Sequence, residues 1–559
     1  MRRFAALFAE LDGTRSTERK VQAVEAYLRA APPADAAWGL FLLAGRRLQR
    51  LVTARALAGW ALHVTGAPAW QLEASALATG DLAEAIALLV DAARPAPPPE
   101  AEGASLAAWA ERLQGLAPLA DEARRDAVAD WWRELREDEL LVFVKLLTGE
   151  LRVGVSRGLV ERAVARLTGL DQVTVTRRLA GPWEPTPDLL ERLAAPADVH
   201  DPARPLPFML ACPLEGPADA LGPAGDWLVE WKWDGVRAQL VRRAGRAWLW
   251  SRGDELLTER FPEVRAAAAA LPDGCVLDGE LVVVRGDRPL PFALLQRRLG
   301  RRRPGGALLA EAPAAFVAFD LLEEGGAPLG DAPLEARRAR LEALLTALPA
   351  EARARLWPSP LVAASSWAEA ARARDEARAR GVEGLVLKRR AGPWQPGRRR
   401  GEWWKWKVDP YAFDAVLVAA EPGAGRRASL HSALTFAVWD AAPDDDPPGE
   451  LVTVARAYSG LADDELRRLD RWVRRHTTEQ FGPVRVVAPA LVFELRCEGV
   501  ARSGRHRSGL AVRFPRIARW RDDKRPEDAD TLARLEALVP PEPPPPRPED
   551  VVGGQLTLF

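Results

Sequence analysis

The sequence has few cysteines and histidines and no long hydrophobic run. Its three cysteines, Cys212, Cys275 and Cys497, lie far apart, so they favour neither a disulfide framework nor a zinc site, and they fit a reducing cytosol. The five histidines show no metal-ligand spacing. No run of about 18 uncharged apolar residues is present, which argues against a membrane-spanning helix. The apolar run at 4–9 is too short for a signal peptide, so we expect a cytoplasmic protein.

Lysine is scarce as well. The chain has 78 basic and 78 acidic residues, so its net charge is zero, which excludes a uniformly basic nucleic-acid coat but not local basic faces. Only seven of the 78 cations are lysine, and five of the seven lie in the motifs described below. Arginine stays protonated and cannot act as a nucleophile, whereas a deprotonated lysine can. The few lysines are therefore the first candidates for chemistry.

Length and hydrophobic pattern predict three domains and a tail. Residues 1–200 carry apolar residues at helical spacing, including the stretch 38–57, and predict an all-α domain. Residues 201–409 mix strand-like and helical stretches and predict an α/β domain. Residues 410–539 hold short strands and one helix, which predicts a small β-barrel of the OB type. Residues 540–559 begin with a proline-rich run that cannot pack, so we expect a disordered tail.

One lysine stands between two strand-like runs, in the sequence Glu-Trp-Lys-Trp-Asp-Gly at 230–235. The Asp-Gly pair predicts a turn, so the amine of Lys232 should lie at a strand end and face a pocket. Since an unperturbed lysine has a pKa of about 10.4, an attacking amine needs nearby cations or exclusion of water. A lysine flanked by two tryptophans is costly unless it has a task. Lys232 is therefore the leading candidate for a nucleophile.

Five further motifs could complete a nucleotide pocket. They are Leu-Asp-Gly-Glu at 277–280, Phe-Val-Ala-Phe-Asp at 316–320, the segment 382–388, the segment 402–407 and the segment 519–524. The first three end or border strands and offer carboxylates or an aromatic ring that can stack on a base. In the fourth, Lys405 and Lys407 lie on one face of a strand, where two cations repel unless an anion lies between them.

In this order and at these intervals, the motifs resemble those of the covalent nucleotidyltransferase superfamily, and specifically those of bacterial ATP-dependent DNA ligases. The resemblance covers about 204–530, and the helical region resembles the DNA-binding domain of many such ligases, especially at 147–152. It implies a monomeric enzyme that uses ATP and Mg²⁺ or Mn²⁺ to seal nicks in duplex DNA, in repair or replication. A lysine takes AMP, passes it to the 5′-phosphate, and the 3′-hydroxyl then displaces it.

The resemblance also implies a role for each motif residue. Lys232 would be the adenylated nucleophile. The other implied roles are adenine reading by Glu230, adenine stacking by Phe319, ribose contacts by Arg237 and Glu280, phosphate binding by Arg252, metal placement by Glu280 and Glu383, α-phosphate binding by Lys405 and Lys407, and pyrophosphate orientation by Arg521 and Lys524. Alternatives stay open for three positions: Phe319 as core, Glu383 in a surface salt bridge and Lys388 as a solvated strand end.

Arginine-rich stretches supply candidate contacts to the DNA backbone. Arg152 follows a glycine-punctuated turn between predicted helices, and Arg298, Arg302 and Arg399 lie in or beside arginine runs. Such runs are as often solvated faces. Nick recognition needs no readout of base edges, so we expect no specificity helix.

Three rival functions share some of these features. A capping-type guanylyltransferase shares the Lys-x-Asp-Gly motif and the barrel, but the long helical region and the Trp-Lys-Trp-Lys run at 404–407 favour a ligase. An NAD-dependent ligase would carry a four-cysteine zinc module, which three scattered cysteines exclude. A non-catalytic OB-fold protein that binds nucleic acid gives no reason for Lys232.

The last five residues, Gln-Leu-Thr-Leu-Phe at 555–559, are similar to the peptide by which bacterial proteins dock on the β sliding clamp. A glutamine and apolar anchors at the end of a flexible arm suit insertion into a groove, although a frayed terminus is the alternative. We expect that removing 555–559 abolishes capture by immobilised clamp, whereas Thr557→Ala, which changes the position between the anchors, leaves capture intact. Equal capture of the truncated and full-length chains would remove this interpretation.

Overall fold

The computed structural model describes residues 1–48, 52–94, 103–149, 151, 153–195, 201–286, 288–423, 429–442, 449–458 and 460–539. The predicted tail at 540–559, with its possible clamp peptide that starts at Gln555 and ends at Phe559, and Arg152 lie outside these residues. The chain divides into two compact units. The first comprises Met1–Ala163, Pro185–Leu190 and the described part of Asp409–Glu542, and the second comprises Val164–Glu184 and Glu191–Val408. No described helix is long and apolar enough to cross a membrane.

The amino-terminal region is helical, as the hydrophobic spacing predicted. Its helices are α1 Arg2–Gly13, α2 Thr17–Ala30, α3 Pro33–Leu43, α4 Ala54–Thr65, α5 Ala69–Thr79, α6 Leu82–Ala93, α7 Leu106–Gln114, α8 Asp121–Trp132, α9 Glu137–Thr148, α10 Arg157–Thr168, α11 Gln172–Arg178 and α12 Leu189–Ala194. Side-chain caps mark several of their starts. Ser16 accepts the Arg19 N–H at the start of α2, and Asp81 accepts the Ala83 N–H at 2.9 Å at the start of α6.

The single helical stretch predicted over 38–57 is wrong. Helix α3 ends at Leu43, and Gly45 follows with φ 81°, a left-handed conformation that glycine adopts at little cost. Helix α4 begins only at Ala54, where Thr53 accepts the Ala56 N–H at 3.1 Å. Leu48 and Val52, which lie between the two helices, are buried as well, so hydrophobic spacing alone does not reveal where the chain turns.

The second unit is an α/β structure. Its strands are β1 Met209–Leu210, β2 Cys212–Pro213, β3 Trp227–Trp231, β4 Val236–Arg243, β5 Arg246–Ser251, β6 Cys275–Arg285, β7 Arg288–Pro289, β8 Ala314–Glu324, β9 Ala327–Pro328, β10 Leu356–Pro358, β11 Gly384–Arg389, β12 Gly397–Arg398 and β13 Trp403–Lys407. Its further helices are α13 Pro262–Ala268, α14 Phe292–Leu299, α15 Gly306–Glu311, α16 Leu334–Thr346, α17 Ala350–Arg353 and α18 Trp367–Glu376.

Two sheets of this unit matter most for the site. One runs in the order β10-β8-β6-β4-β5, with β6 and β8 buried along almost their whole length, which explains their nearly continuous apolar sequences. The other runs in the order β2-β13-β11-β3. Strand β3 ends in the second sheet and β4 begins in the first, so the turn between them, 232–235, joins the two sheets.

Backbone hydrogen bonds fix the start of that turn. The Lys232 N–H donates to the Gly384 carbonyl at 2.8 Å, and the Glu383 N–H donates to the Lys232 carbonyl at 2.8 Å. Gly384 has φ 133°, and a Cβ there would lie 2.4 Å from the Trp406 carbonyl oxygen, so the position requires glycine. This antiparallel pairing places Lys232 and Glu383 side by side although they are far apart in the sequence.

The carboxyl-terminal region of the first unit is a sheet structure. Its strands are β14 Tyr411–Pro422, β15 His431–Trp439, β16 Leu451–Ala457, β17 Thr477–Phe481, β18 Val484–Val487, β19 Val492–Cys497, β20 Gly499–Arg502, β21 Leu510–Arg513 and β22 Arg516–Trp520, and its helices are α19 Asp463–His476 and α20 Leu532–Glu536. The long strand β14 pairs with β15, β18 and β19, and β19 pairs with β22. Apolar residues of these strands and of α19 form one buried core.

Candidate nucleotide-binding site

A cavity of about 400 Å³ opens beside the turn that follows β3. Its lining includes five residues that the sequence predicted for one site, namely Lys232, Arg237, Arg252, Glu280 and Glu383. The volume lies in the range of small-molecule sites. The fold therefore brings together residues from β4, from β6 and from the segments beside β3, β5 and β11.

The turn 232–235 is shaped by close packing on both sides of Lys232. A Cβ at Gly235 would lie 2.5 Å from the Leu281 carbonyl oxygen and 2.7 Å from Cγ of Glu280, so only glycine lets the turn lie this close to β6. Trp233 packs on a small apolar cluster and donates its indole N–H to Ser359 Oγ at 3.1 Å. Trp231 packs on a different cluster. The two tryptophans therefore anchor the turn and leave the lysine side chain between them, partly exposed in the cavity.

Glu383 pairs with two of the predicted lysines. Its carboxylate forms an ion pair with the amine of Lys232 and lies 3.4 Å from that of Lys407. Although burial acts to raise it, Lys232 and Lys407 hold the pKa of Glu383 below its usual value. Lys405 lies two residues earlier on the same strand face, and burial together with the positive charges of Arg398, Lys232 and Lys407 lowers its pKa. Glu383 does form salt bridges, as the alternative expected, and both partners are lysines predicted for the site.

Glu280 and Arg237 face each other across β6 and β4. The guanidinium of Arg237 is held by both oxygens of buried Asp278, at 2.8 and 2.7 Å, and by the Met209 carbonyl at 3.2 Å. Burial raises the pKa of Glu280 to about 7, against the opposing charges of Arg237 and Lys232. A carboxyl group poised near neutrality in a cavity is typical of functional sites.

Glu230, Phe319 and Lys388 form a second group of site residues, which does not line the cavity. Lys388 is only 2% exposed, and its amine lies 2.9 Å from Glu230 Oε1 and 3.8 Å from the ring centroid of Phe319. Arg237 lies 4.3 Å from the same ring. The alternative of a solvated strand end is therefore wrong for Lys388. The scarcity of lysine in this chain was a signal that could have marked Lys388 as functional. The contact of Lys388 with Glu230 depends on the pairing of β11 with β3, which the sequence does not give.

Arg521 and Lys524 lie in the first unit, just after β22. Nη1 of Arg521 lies 3.0 and 3.1 Å from the two carboxylate oxygens of Asp414, and its other edge donates to Asp523 at 2.7 and 2.8 Å. The amine of Lys524 lies 2.7 Å from Asp414 Oδ2. One carboxylate of β14 therefore gathers both predicted cations at the end of β22.

The prediction that Arg298 contacts DNA is wrong. Its side chain is fully buried in α14, where it pairs with Glu263 at 2.8 Å and donates to the Ala312 and Arg260 carbonyls. The sequence showed an arginine run but not which member faces inward. Arg302 and Arg399 are exposed, so their predicted contacts stay predictions.

The acidic residues alone do not form a metal cage. Within the described ranges no cluster of three or more His, Cys, Asp or Glu side chains could hold a metal ion. Glu280 and Glu383 do line the same cavity. Mg²⁺ is commonly held by one or two carboxylates together with substrate phosphates and water, so this pair fits a metal that arrives with a nucleotide.

Comparison with known proteins gives one consistent family. The family models described as DNA ligase N terminus, ATP dependent DNA ligase domain and ATP dependent DNA ligase C terminal region match residues 1–165, 208–407 and 427–524. A probable DNA ligase of Koribacter versatilis is 32% identical, over 94% of each chain. A probable DNA ligase of Opitutus terrae is 33% identical over 96% of this chain and 62% of its own length. The solved structure named Pmar-Lig_Pre shares the fold, with a TM-score of 0.59 at 16% identity, over 93% of this chain and 99% of that one.

Substitutions of the buried Arg298 and the exposed Arg302 should have different effects, the first on stability and the second on DNA binding. We expect Arg298→Met to lower the free energy of unfolding by about 3–5 kcal/mol, because it leaves the Glu263 carboxylate without its partner. Arg302→Met should leave stability unchanged within about 0.5 kcal/mol and reduce the slope of log affinity for nicked DNA against log salt by about 1. Urea unfolding and salt-dependent binding measure the two effects. A reduced salt slope in Arg298→Met at full stability would contradict the assignment.

Glu280 should make stability depend on pH. Because burial raises its folded-state pKa to about 7 from an ordinary 4.5, the folded chain binds this proton more tightly than the unfolded chain. The resulting stabilisation is complete below the unfolded-state pKa and is lost as pH rises through the folded-state value. The advantage of Glu280→Gln over the wild type in urea midpoint should therefore grow between about pH 5 and about pH 8. A difference that stays constant with pH would contradict this assignment.

Proposed function

Since this chain belongs to the ATP-dependent DNA ligase family, we propose that Lys232 is the residue through which it transfers AMP. Ligases of this family act through a lysyl-AMP intermediate. The observation that carries the assignment is the position of Lys232 in the cavity, with Arg237, Arg252 and Glu280 around it and Glu383 on its amine.

Three displacements at phosphorus then account for ligation. The Lys232 nitrogen loses a proton and attacks the α-phosphorus of ATP, so an N–P bond forms, the P–O bond to pyrophosphate breaks and its electron pair leaves with pyrophosphate. An oxygen of the 5′-phosphate at the nick attacks the same phosphorus and the N–P bond breaks, which frees the lysine. The 3′-hydroxyl, losing its proton, attacks the 5′-phosphorus and AMP leaves. The chain contributes positioning and charge stabilisation.

The cations beside Lys232 support this chemistry. Lys405 and Lys407 lie on the strand face that reaches Glu383, so they can take the α-phosphate oxygens in place of that carboxylate. We assign the triphosphate contact to Arg252, and the pyrophosphate contact to Arg521 and Lys524.

The proposed contacts to the nucleoside involve residues of the second group, which contains Glu230 and Phe319. We assign the adenine amino group to Glu230, the adenine face to Phe319 and the ribose hydroxyls to Arg237 and Glu280. Glu230 supports this because only its Oε1 is hydrogen-bonded among the described residues, to Lys388. Glu280 and Glu383 are the residues that would hold Mg²⁺ or Mn²⁺ with the phosphates. When bound, the ion supplies charge neutralisation to the triphosphate.

We also propose the larger organisation. The domains are a DNA-binding domain at 1–200, an adenylation domain at 201–409, an OB-fold domain at 410–539 and a disordered tail at 540–559. The short antiparallel strands with a single long helix, α19, support the OB assignment. The chain acts as a monomer on nicked duplex DNA of the cytoplasmic nucleoid, in repair or replication, with Arg152, Arg302 and Arg399 on the DNA backbone and 555–559 on the sliding clamp.

Transfer of labelled AMP tests the central assignment. Lys232→Arg should form no labelled AMP adduct on the protein after incubation with α-labelled ATP, because arginine stays protonated and cannot attack phosphorus. Lys20→Arg is the matched control, since Lys20 lies in α2 and donates to the Gly154 carbonyl, away from the motifs. Labelling by GTP or NAD in place of ATP would instead favour one of the rival enzymes, and adduct formation by Lys232→Arg would contradict the assignment.

A further inference from the structure

We infer that Arg338 is a positioning residue for Glu230 and thereby helps this enzyme choose ATP by its 6-amino group. The inference rests on the proposed role of Glu230 as the reader of that group. Arg338 lies in α16, outside every motif that the sequence analysis singled out, and its side chain is buried. Its contacts are what single it out.

Arg338 directs its third donor group at Glu230. Its Nε donates to Glu342 Oε1 at 2.7 Å, and its Nη2 donates to the Ser359 carbonyl at 2.5 Å. These two bonds fix the plane of the guanidinium. Nη1 is then 3.6 Å from Glu230 Oε1, and it is a buried donor with no hydrogen-bond partner in the described part of the chain. Leaving a buried donor unpaired is costly, which indicates a use for this one.

Two cations therefore act on one oxygen of Glu230. Lys388 donates to Oε1 at 2.9 Å, and Arg338 approaches the same atom. In this arrangement no hydrogen bond within the described residues reaches Oε2. Oε2 is thus the acceptor left for the amino group of adenine, and the contacts at Oε1 hold the carboxylate in one orientation. Guanine presents a carbonyl oxygen at the same position of the ring, and this oxygen cannot donate a hydrogen bond to Oε2.

Ser359 ties Arg338 to the rest of the site. Its carbonyl accepts from Arg338, its Oγ accepts from the indole of Trp233, and its N–H donates to the Ala318 carbonyl at 2.6 Å. Trp233 adjoins the nucleophile, and Ala318 adjoins Phe319. The segment that follows Ser359 also pairs with β3, since the Val362 N–H donates to the Val229 carbonyl at 2.8 Å. Through Ser359, Arg338 is therefore connected to the elements that carry the nucleophile, the proposed stacking ring and Glu230.

A double-mutant-type cycle tests this role, with Arg338→Met as the change in the protein and removal of the 6-amino group as the change in the substrate. The rate of lysine adenylation is measured with ATP and with purine riboside triphosphate, which lacks only the 6-amino group. The wild type should prefer ATP by about 10-fold or more in kcat/KM, because the analogue leaves the carboxylate unpaired. Arg338→Met should lower this preference by roughly 10-fold, mostly through a higher KM for ATP, while the analogue is used almost as before.

Two further variants separate the possible failures. Arg340→Met is the matched control, because Arg340 lies on the same helix in an exposed pair with Glu324 and should keep the wild-type preference. Glu230→Ala, which removes the acceptor, should lose the preference; if it does not, the proposed role of Glu230 fails. If Glu230→Ala loses the preference and Arg338→Met keeps it, the role of Arg338 alone is overturned.

A conservative variant keeps the test decisive if the methionine disturbs folding. Arg338→Lys retains the charge but lacks the fork that reaches both Ser359 and Glu230, so it should restore the thermal midpoint while recovering only part of the ATP preference. Equal loss of activity with both triphosphates in the two Arg338 variants would show a purely structural role and overturn the inference.

Discussion

The site depends on one pair of backbone hydrogen bonds, those that join Lys232 to residues 383 and 384. This pairing continues into the β3–β11 ladder and from β11 into β13. Three further lysines are placed by that ladder: Lys388 opposite β3, and Lys405 and Lys407 on the strand beyond. The reactive amine, its carboxylate partner and the cations for the phosphate are therefore positioned by sheet geometry, which is more rigid than a loop.

The ladder also explains why Gly384 matters as much as the charged residues. A side chain at this position would collide with the Trp406 carbonyl, so β13 could not lie as close to β11. Gly235 plays the same part on the other side of the nucleophile, where the turn lies against β6. Two glycines thus allow close backbone packing on both sides of the same lysine. Steric fit at glycine, rather than flexibility, is what these positions contribute.

Much of this site was predictable from local sequence, and the part that was not depends on long-range pairing. Strand parity placed Lys405 and Lys407 on one face, and the Asp-Gly turn placed Lys232 at a strand end, as the structure has them. The burial of Arg298 was not predictable, because the partner that draws it inward, Glu263, comes from another helix. The approach of Arg338 to Glu230 was hidden for the same reason: it depends on where α16 packs. Periodicity reports which face of an element is apolar, but not which charged group will meet another across the core.

The division of labour between arginine and lysine follows from the same geometry. Three arginines of this unit each have fixed partners: Arg237 on Asp278, Arg337 on Asp320 and Arg338 on Ser359. Breaking such a pair strands a charge in the interior, so each holds its neighbours in one arrangement. Lys232, Lys405 and Lys407 lie beside the proposed phosphate, where a compact charge on a flexible stem can change partner when a substrate arrives. Glu383 pairs with Lys232 and Lys407, and an incoming phosphate offers them the same negative charge. In a chain whose cations are mostly arginine, lysine thus stands at the positions where the proposed reaction requires a change of partner.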